Sequence, residues 1–365
     1  MKTHQLQGIR GLAALVVAIG HCLGLFATPA WFAQAKNYAN GHAAVVMFFV
    51  LSGFVLTLSQ RNKHDRPADF YVKRLLRIYP AWIAACAVSL AYLVLVHYRF
   101  PIAGGGDWWR ARFQAERFHP LYIAASFAGA LAFLLPQGWT IFVELVASAL
   151  MPLIAWAALR RRRLFYALMA AALVVSLTMG GRSYYGVLSY LIDFLLGAWL
   201  AAPPDAFRRL IAVAEPFTIP GLVLAAAVLI AYRNLFPAGG DLDVAAYNDG
   251  LTQGVEALCC VWILGVVIHG PRPLRWLDAR AISGLGEISY SFYLIHVPIM
   301  CLLATLVAPL PLDPIGRSLV LLALTLPPSL AAATLMYRWV ERPGIALGRR
   351  LVERLKGSRA PLAAQ

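Results

Sequence analysis

Residues 41–60 have the sequence GHAAVVMFFVLSGFVLTLSQ, in which no position is an aspartate, glutamate, lysine or arginine. A helix of this length rises about 30 Å, which is the thickness of the hydrocarbon core of a bilayer. So long an apolar run is not typical of a core helix in a soluble domain. It predicts a helix that crosses a membrane.

Similar runs recur along nearly the whole chain. Of its 365 residues, 61% are apolar and 13% are charged, and the mean hydropathy is +0.68, whereas soluble domains have about 25% charged residues. We predict an all-α polytopic membrane helical bundle, with a membrane domain over residues 1–345 and a basic tail over residues 346–365. Breaks at proline, glycine and charged clusters predict about ten spans, near residues 8–27, 41–60, 80–98, 139–159, 164–180, 186–202, 217–232, 251–269, 285–308 and 317–340.

The apolar segment 121–136 does not fit this series of spans. It is short, contains Ser126 and Gly129, and is separated from the next span only by Gln137 and Gly138, so we expect a re-entrant or interfacial helix. The distribution of basic residues supports this expectation. With ten spans and both termini in the cytoplasm, 24 of the 32 lysine and arginine residues lie on the cytoplasmic side, whereas an eleventh span leaves only 11 there.

The net charge of +15 does not indicate a nucleic-acid-binding protein, because the basic residues form short clusters between apolar runs, as topology signals do. We expect the bilayer to be their partner, with the basic tail 346–365 lying against anionic headgroups on the cytoplasmic side. The five cysteines lie inside apolar runs without metal-ligand spacing. They therefore predict neither a disulfide framework nor a metal site.

Ionisable side chains inside a span are costly unless paired or hydrated, so each is a candidate functional residue. His21 lies eleven residues beyond Arg10, on the same helix face and about 16 Å along the axis. Helix rise places His21 about 20 Å from the cytoplasmic side and Glu144 about 8 Å from the outer side, at similar depth. We expect Glu144 to orient His21 as a general base; alternatively, His21 only forms a hydrogen bond between helices. Asp193 and Glu256 are interpreted as interhelical hydrogen-bonding groups.

Two arginines precede Pro80, a residue that suits the first turn of the third span. Arg74 and Arg77 are close to one turn apart and would present two guanidinium groups at the cytoplasmic mouth. Guanidinium groups bind phosphates well. The alternative is that both arginines serve only as a positive-inside anchor.

Six short motifs occur in chain order: residues 7–13 (QGIRGLA), 48–54 (FFVLSGF), 74–80 (RLLRIYP), 139–144 (WTIFVE), 289–296 (SYSFYLIH) and 340–343 (VERP). Ten residues separate His21 from the arginine of the first motif. Together these motifs resemble those of the acyltransferase-3 family of membrane acyltransferases, although Ile141 of the fourth motif stands where leucine is usual.

The resemblance implies an O-acyltransferase of the cell envelope, in the bacterial cytoplasmic membrane. It would move an acyl group, expected to be acetyl, from cytoplasmic acyl-CoA to a hydroxyl of a carbohydrate or lipid-linked glycan at the outer face, without a metal. Arg10, Arg74 and Arg77 would bind the CoA, and His21 would deprotonate the acceptor or transiently carry the acyl group, oriented by Glu144. Further candidate site residues are Ser52, Trp139, Tyr293 and His296, although His296 equally suits a packing histidine.

Two other classes of function remain open at this point. A proton-coupled secondary transporter or exporter would also place histidine and glutamate within the membrane, although the chain has no evident inverted repeat. A noncatalytic assembly protein of a polysaccharide export system would not need these residues. Some members of the family carry a fused hydrolase-like domain, whereas about 25 residues follow the last span here, so we expect the protein to act alone or with a separate acceptor-handling protein.

Overall fold

The computed structural model describes residues 3–61, 66–96, 102–112, 118–180, 183–235, 250–270 and 274–357. Within these ranges the backbone forms helices and loops, with one isolated bridge between Phe26 and Gly105. In chain order, the α-helices are α1 Thr3–Leu23, α2 Ala30–Lys36, α3 Gly41–Arg61, α4 Pro67–Leu95, α5 Asp107–Arg112, α6 Pro120–Phe127, α7 Trp139–Arg160, α8 Arg162–Met179, α9 Val187–Ala201, α10 Asp205–Val213, α11 Thr218–Leu235, α12 Gly250–His269, α13 Arg280–Glu287, α14 Ser289–Val307, α15 Pro314–Met336 and α16 Arg342–Gly357.

The helices that cross the membrane follow the predicted spans. In the described part of the chain, 9 helices are long and apolar enough to cross, and the bent pair α10 and α11, with an angle of 104° between them, brings the total to 10. The predicted all-α membrane bundle is therefore confirmed, and the chain is an integral membrane protein.

The third span begins earlier than the sequence predicted. Helix α4 has 29 residues and starts at Pro67, its first helical position, with the Asp69 carboxylate accepting a hydrogen bond from the Arg66 amide at 3.3 Å. Pro80 lies inside the helix, so the prediction that it occupies the first turn is wrong. As a result, Arg74 and Arg77 lie two to three turns inside the helix, deeper in the bundle than a surface anchor would be.

Close contact between backbones fixes α3 against α9. These two helices pack more extensively than any other pair in the described ranges. A Cβ atom added at Gly53 would lie 2.1 Å from the Phe194 carbonyl oxygen, and one added at Gly197 would lie 1.9 Å from that of Val50. Only glycine fits at such distances, and small residues allow helices to approach closely inside a membrane.

The segment 121–136 does not cross the membrane as one helix. Helix α6 has 8 residues, and non-helical residues 128–135 and a 3-10 helix, Pro136–Gly138, then lead into α7. Side chains of α4 donate hydrogen bonds to its carbonyls: Trp82 Nε1 to Ser126 at 3.0 Å and the Tyr79 hydroxyl to Ala128 at 2.9 Å. Non-helical backbone at membrane depth needs such partners, because lipid offers none.

The chain continues past the last span as a helix that returns to the bundle. A five-residue π-helix, Tyr337–Glu341, joins α15 to α16, and the buried Glu341 accepts a hydrogen bond from the Ser291 hydroxyl of α14 at 2.7 Å. Helix α16 packs against α4 and runs through the predicted boundary at residue 345. Of the predicted tail, residues 358–365 lie outside the described residues.

Candidate active site

A cavity of about 370 Å³ lies between α1, α3, α4, α7 and α14. Much of its lining consists of apolar side chains such as Phe48 and Ile141. Six residues that the sequence predicted for the site line it as well, namely Arg10, Ser52, Arg74, Arg77, Glu144 and Tyr293. The cavity is nearer to the start of α1 and α4, the end that the basic residues predict to be cytoplasmic.

Glu144 is paired with Arg74. The Arg74 guanidinium forms an ion pair with the Glu144 carboxylate, its Nε donates to the Ser148 hydroxyl at 2.9 Å, and the Ser52 hydroxyl lies 3.5 Å from Glu144 Oε1. The structure therefore does not bear out the expectation that Glu144 orients His21. Because α4 begins at Pro67, Arg74 lies about two turns inside the helix, at the level of Glu144.

The cationic groups of the cavity differ in how they are held. Arg74 is paired with the Glu144 carboxylate, and Arg10 lies 3.3 Å from the Gln7 side-chain oxygen. Arg77 forms no hydrogen bond or ion pair with any residue that the structure describes. Of the predicted phosphate-binding arginines Arg74 and Arg77, Arg77 is thus the one whose guanidinium is not paired with a carboxylate in the described structure. Arg10 and Lys73 also line the cavity.

His21 contacts a second histidine. Its Nδ1 lies 2.9 Å from Nε2 of His296, and the two rings are inclined by only 11°. The Trp109 ring packs edge-on against His21, with centroids 5.7 Å apart. His296 is completely buried, and its Nδ1 lies 3.1 Å from the Phe292 carbonyl oxygen. The two histidines from distant parts of the sequence therefore form one hydrogen-bonded unit.

Tyr293 lies between the cavity and this histidine pair. It lines the cavity, and its ring centroid is 6.0 Å from that of His296. Its hydroxyl donates to the Gln137 carbonyl at 3.1 Å and accepts from the Thr140 hydroxyl at 3.0 Å. His21 itself is not part of the cavity wall, so the cavity and the imidazole are neighbours with a tyrosine between them.

Trp139 lies behind the cavity wall. Its ring packs against Tyr190, with centroids 5.3 Å apart, and against Phe49 at 6.4 Å. Of these rings, only Phe49 lines the cavity. Trp139 thus supports the wall from the protein interior.

A second buried polar network contains Glu256 and Asp193, which we interpret from the sequence as interhelical hydrogen-bonding groups, together with His42, which sequence reasoning missed. His42 Nδ1 pairs with the Glu256 carboxylate, its Nε2 lies 2.7 Å from the Tyr190 hydroxyl, and Asn40 donates to Glu256 at 2.8 Å. Close by, Gln253 and Asp193 are also completely buried and are joined at 3.0 Å. His42 is an ionisable residue within the predicted span 41–60, and that signal alone identifies it as a candidate.

Together these features define a membrane-embedded helical bundle with a cationic cavity next to a pair of histidines. In the described residues, no group of three or more histidine, cysteine, aspartate or glutamate side chains could hold a metal ion. The chain belongs to the acyltransferase-3 family, whose profile, described as an acyltransferase domain, matches residues 3–334.

Several characterised bacterial proteins are similar in sequence. O-acetyltransferase OatA of Staphylococcus aureus is 24% identical over 326 residues, which cover 81% of this chain and 50% of OatA. Peptidoglycan O-acetyltransferase OatA of Listeria monocytogenes is 27% identical over 374 residues, which cover 93% of this chain and 55% of that protein. The chain thus spans about half the length of these relatives. No solved structure matches the chain.

Proposed function

We propose that this chain is a membrane O-acetyltransferase that moves an acetyl group from acetyl-CoA to a hydroxyl of a cell-envelope carbohydrate. The observation that carries this proposal is one arrangement of residues. Arg77 lines a cavity whose wall includes Tyr293, and Tyr293 contacts His296, which is hydrogen-bonded to His21. The OatA relatives are O-acetyltransferases, and the Listeria protein acts on peptidoglycan by its name, so peptidoglycan is the first acceptor to test.

The cavity suits the acyl-CoA donor. Its volume of about 370 Å³ lies within the range of about 300–1,000 Å³ that is usual for small-molecule sites. Arg77, Arg10 and Lys73 bring positive charge to one cavity, and arginine binds phosphate through two parallel N–H groups. Ser52 and Tyr293 supply hydroxyl groups on the cavity wall. Bound acetyl-CoA would supply the thioester.

His21 supplies the base. It removes the proton from the acceptor hydroxyl while the hydroxyl oxygen bonds to the thioester carbon, the carbon–sulfur bond breaks, and the proton passes to the departing thiolate. Direct transfer and a transient acyl group on His21 are the two alternative routes for this step. Arg77 belongs to the end of the bundle that is predicted to be cytoplasmic, and His21 lies nearer the other end of α1. This supports transfer from a cytoplasmic donor to an acceptor at the outer face of the bacterial membrane.

The test is acetyl transfer by the purified protein in lipid nanodiscs, with radiolabelled acetyl-CoA and peptidoglycan fragments. Wild-type protein should transfer label to the acceptor, and His21→Ala should lose about 100-fold or more of the rate, since a positioned base contributes about 10²- to 10⁴-fold. His4→Ala removes an exposed histidine of the same helix and should retain the wild-type rate. Full activity of His21→Ala would refute the role of the base, and transport of substrate without acetylation would indicate a transporter.

A further inference from the structure

We propose that His296 is a positioning residue that holds His21 in one tautomer, with the proton on Nδ1 and the lone pair on Nε2. His21 Nε2 is then the atom that accepts the proton of the acceptor. This inference rests on the proposed function for its catalytic consequence, whereas the tautomer itself follows from the hydrogen bonds.

The first step is the proton on His296. Its Nδ1 lies 3.1 Å from the Phe292 carbonyl oxygen, one helical turn earlier in α14. A carbonyl oxygen only accepts hydrogen bonds, so the imidazole nitrogen facing it must carry the hydrogen. The backbone of α14 thus assigns the proton of His296 to Nδ1.

The second step is the charge of His296. The ring is completely buried, and its hydrogen-bonding partners in the described structure are backbone groups of Phe292 and Tyr293 in α14 and the His21 ring. None of these is an anion, and a charged ring buried without a counter-ion is costly within a membrane. The ring is therefore neutral and has a proton on only one nitrogen, so His296 Nε2 carries a lone pair.

The third step transfers this assignment to His21. Its Nδ1 lies 2.9 Å from His296 Nε2, and because that atom can only accept, His21 Nδ1 must donate. The ring orientation suits this bond. The ring planes differ by 11°, and the ring centroids are 5.2 Å apart. This centroid distance exceeds the distance between the two nitrogens by about two ring radii, so both nitrogens lie close to the line that joins the centroids. The rings are thus edge to edge in nearly one plane, where both the N–H bond and the lone pair lie. The remaining nitrogen of neutral His21, Nε2, is unprotonated.

The consequence for acetyl transfer is a base that needs no rearrangement. His21 Nε2 takes the proton of the acceptor hydroxyl as the new oxygen–carbon bond forms and the carbon–sulfur bond breaks, and then gives that proton to the thiolate. During this step, His296 Nε2 continues to accept from His21 Nδ1 and so stabilises the positive charge on His21. His296 neither gains nor loses a proton over the cycle. In the opposite tautomer His21 Nε2 already carries a hydrogen and cannot act as a base.

The direct test is solid-state ¹⁵N NMR of histidine-labelled protein in lipid, with the His21 signals assigned by their loss in His21→Gln. We expect wild-type His21 to show a protonated Nδ1 and an unprotonated Nε2. In His296→Leu, which removes the acceptor, both tautomers should be populated. In His296→Gln, whose amide oxygen accepts a hydrogen bond, the protonated Nδ1 should persist. A protonated Nε2 on His21 in wild-type protein would overturn the proposal, and this measurement needs no enzymatic activity.

The kinetic test separates positioning from packing. His296→Leu should lower kcat by about 10- to 100-fold, the range found when a metal-ligating imidazole loses its supporting hydrogen bond, and leave the KM for acetyl-CoA unchanged. His296→Gln should recover most of kcat. Equal activities of the Leu and Gln variants, with both folded, would show that His296 only packs. If wild-type protein transfers no acetyl group while the NMR spectrum shows the expected tautomer, the proposed function fails and the tautomer assignment stands.

Discussion

The guanidinium of Arg74 and the carboxylate of Glu144 form an ion pair that joins α4 to α7 inside the membrane. Their side chains are 9% and 20% exposed, both to the cavity. Removing one partner of such a pair leaves the other charge without compensation, which costs more than the pair itself contributes. The pair therefore fixes one wall of the cavity and makes both residues sensitive to substitution.

We expect Glu144→Ala to reduce the free energy of unfolding by about 1–3 kcal/mol, less than for a fully buried pair because water reaches the cavity. Glu144→Gln retains a hydrogen-bond acceptor for Arg74 and should cost less. Denaturant unfolding in detergent micelles measures both changes. Glu353→Ala, at an exposed position on α16, is the control and should be near neutral. If Glu144→Ala were as stable as the control, the ion pair would have no structural role.

Arg77→Ala should raise the KM for acetyl-CoA by about 10-fold or more, since a hydrogen bond to a charged group contributes about 1.5–3 kcal/mol, and should leave the KM for the acceptor nearly unchanged. The reason is that Arg77 lines the cavity, and its guanidinium forms no hydrogen bond or ion pair with a residue that the structure describes. Steady-state kinetics with each substrate varied in turn provide the measurement. Arg160→Ala removes an exposed arginine at the end of α7 and should change neither value. Equal effects of Arg77→Ala on both substrates would count against a phosphate role.

Gly197→Ala should lower the thermal unfolding temperature markedly, because its new Cβ would lie 1.9 Å from the Val50 carbonyl oxygen and force α3 away from α9. The matched control is Gly254→Ala on α12, where nothing lies within 4 Å of an added Cβ. There the substitution should be neutral or stabilise the helix by up to about 1 kcal/mol. Thermal unfolding of the two variants in the same detergent compares them. Similar stability of both would mean that α3 and α9 are not tightly packed at this point.

Glu256→Ala should cost about 3–5 kcal/mol of stability, because it leaves His42 and Asn40 without the carboxylate that they contact in a completely buried site. Glu256→Gln keeps an oxygen for Asn40 and should fall between the alanine variant and wild type. None of the residues of this network lines the cavity. The KM for acetyl-CoA in folded Glu256→Gln should therefore match the wild-type value, and a large increase would tie the network to the donor site.

The sequence predicted the architecture well, because hydrophobic length and charge distribution act locally along the chain. The ten spans and the short segment 121–136 follow from such local signals. Helix starts were less certain. Pro80 and Pro67 both suit a first helical position, and only the structure shows that α4 starts at Pro67 and continues through Pro80.

The sequence could not predict which side chains contact each other between helices. Depth along a span singled out His21 and Glu144 as polar groups inside the bundle, but depth does not state which helix faces which. Glu144 meets Arg74 of α4, and His21 meets His296 of α14, 275 positions away in the chain. Such contacts depend on the order of helices around the bundle, and no motif spacing encodes that order.

The docking of segment 121–136 on Trp82 and Tyr79 bears on how the protein is made. Helix α4 leaves the ribosome before residues 120–138, so the donors for the Ser126 and Ala128 carbonyls are already in the bilayer when this segment enters it. The segment can therefore dock on α4 as it emerges. A circularly permuted chain that began at residue 120 would insert the same segment first, with bare carbonyls facing lipid until α4 was translated, and should depend more strongly on insertion chaperones.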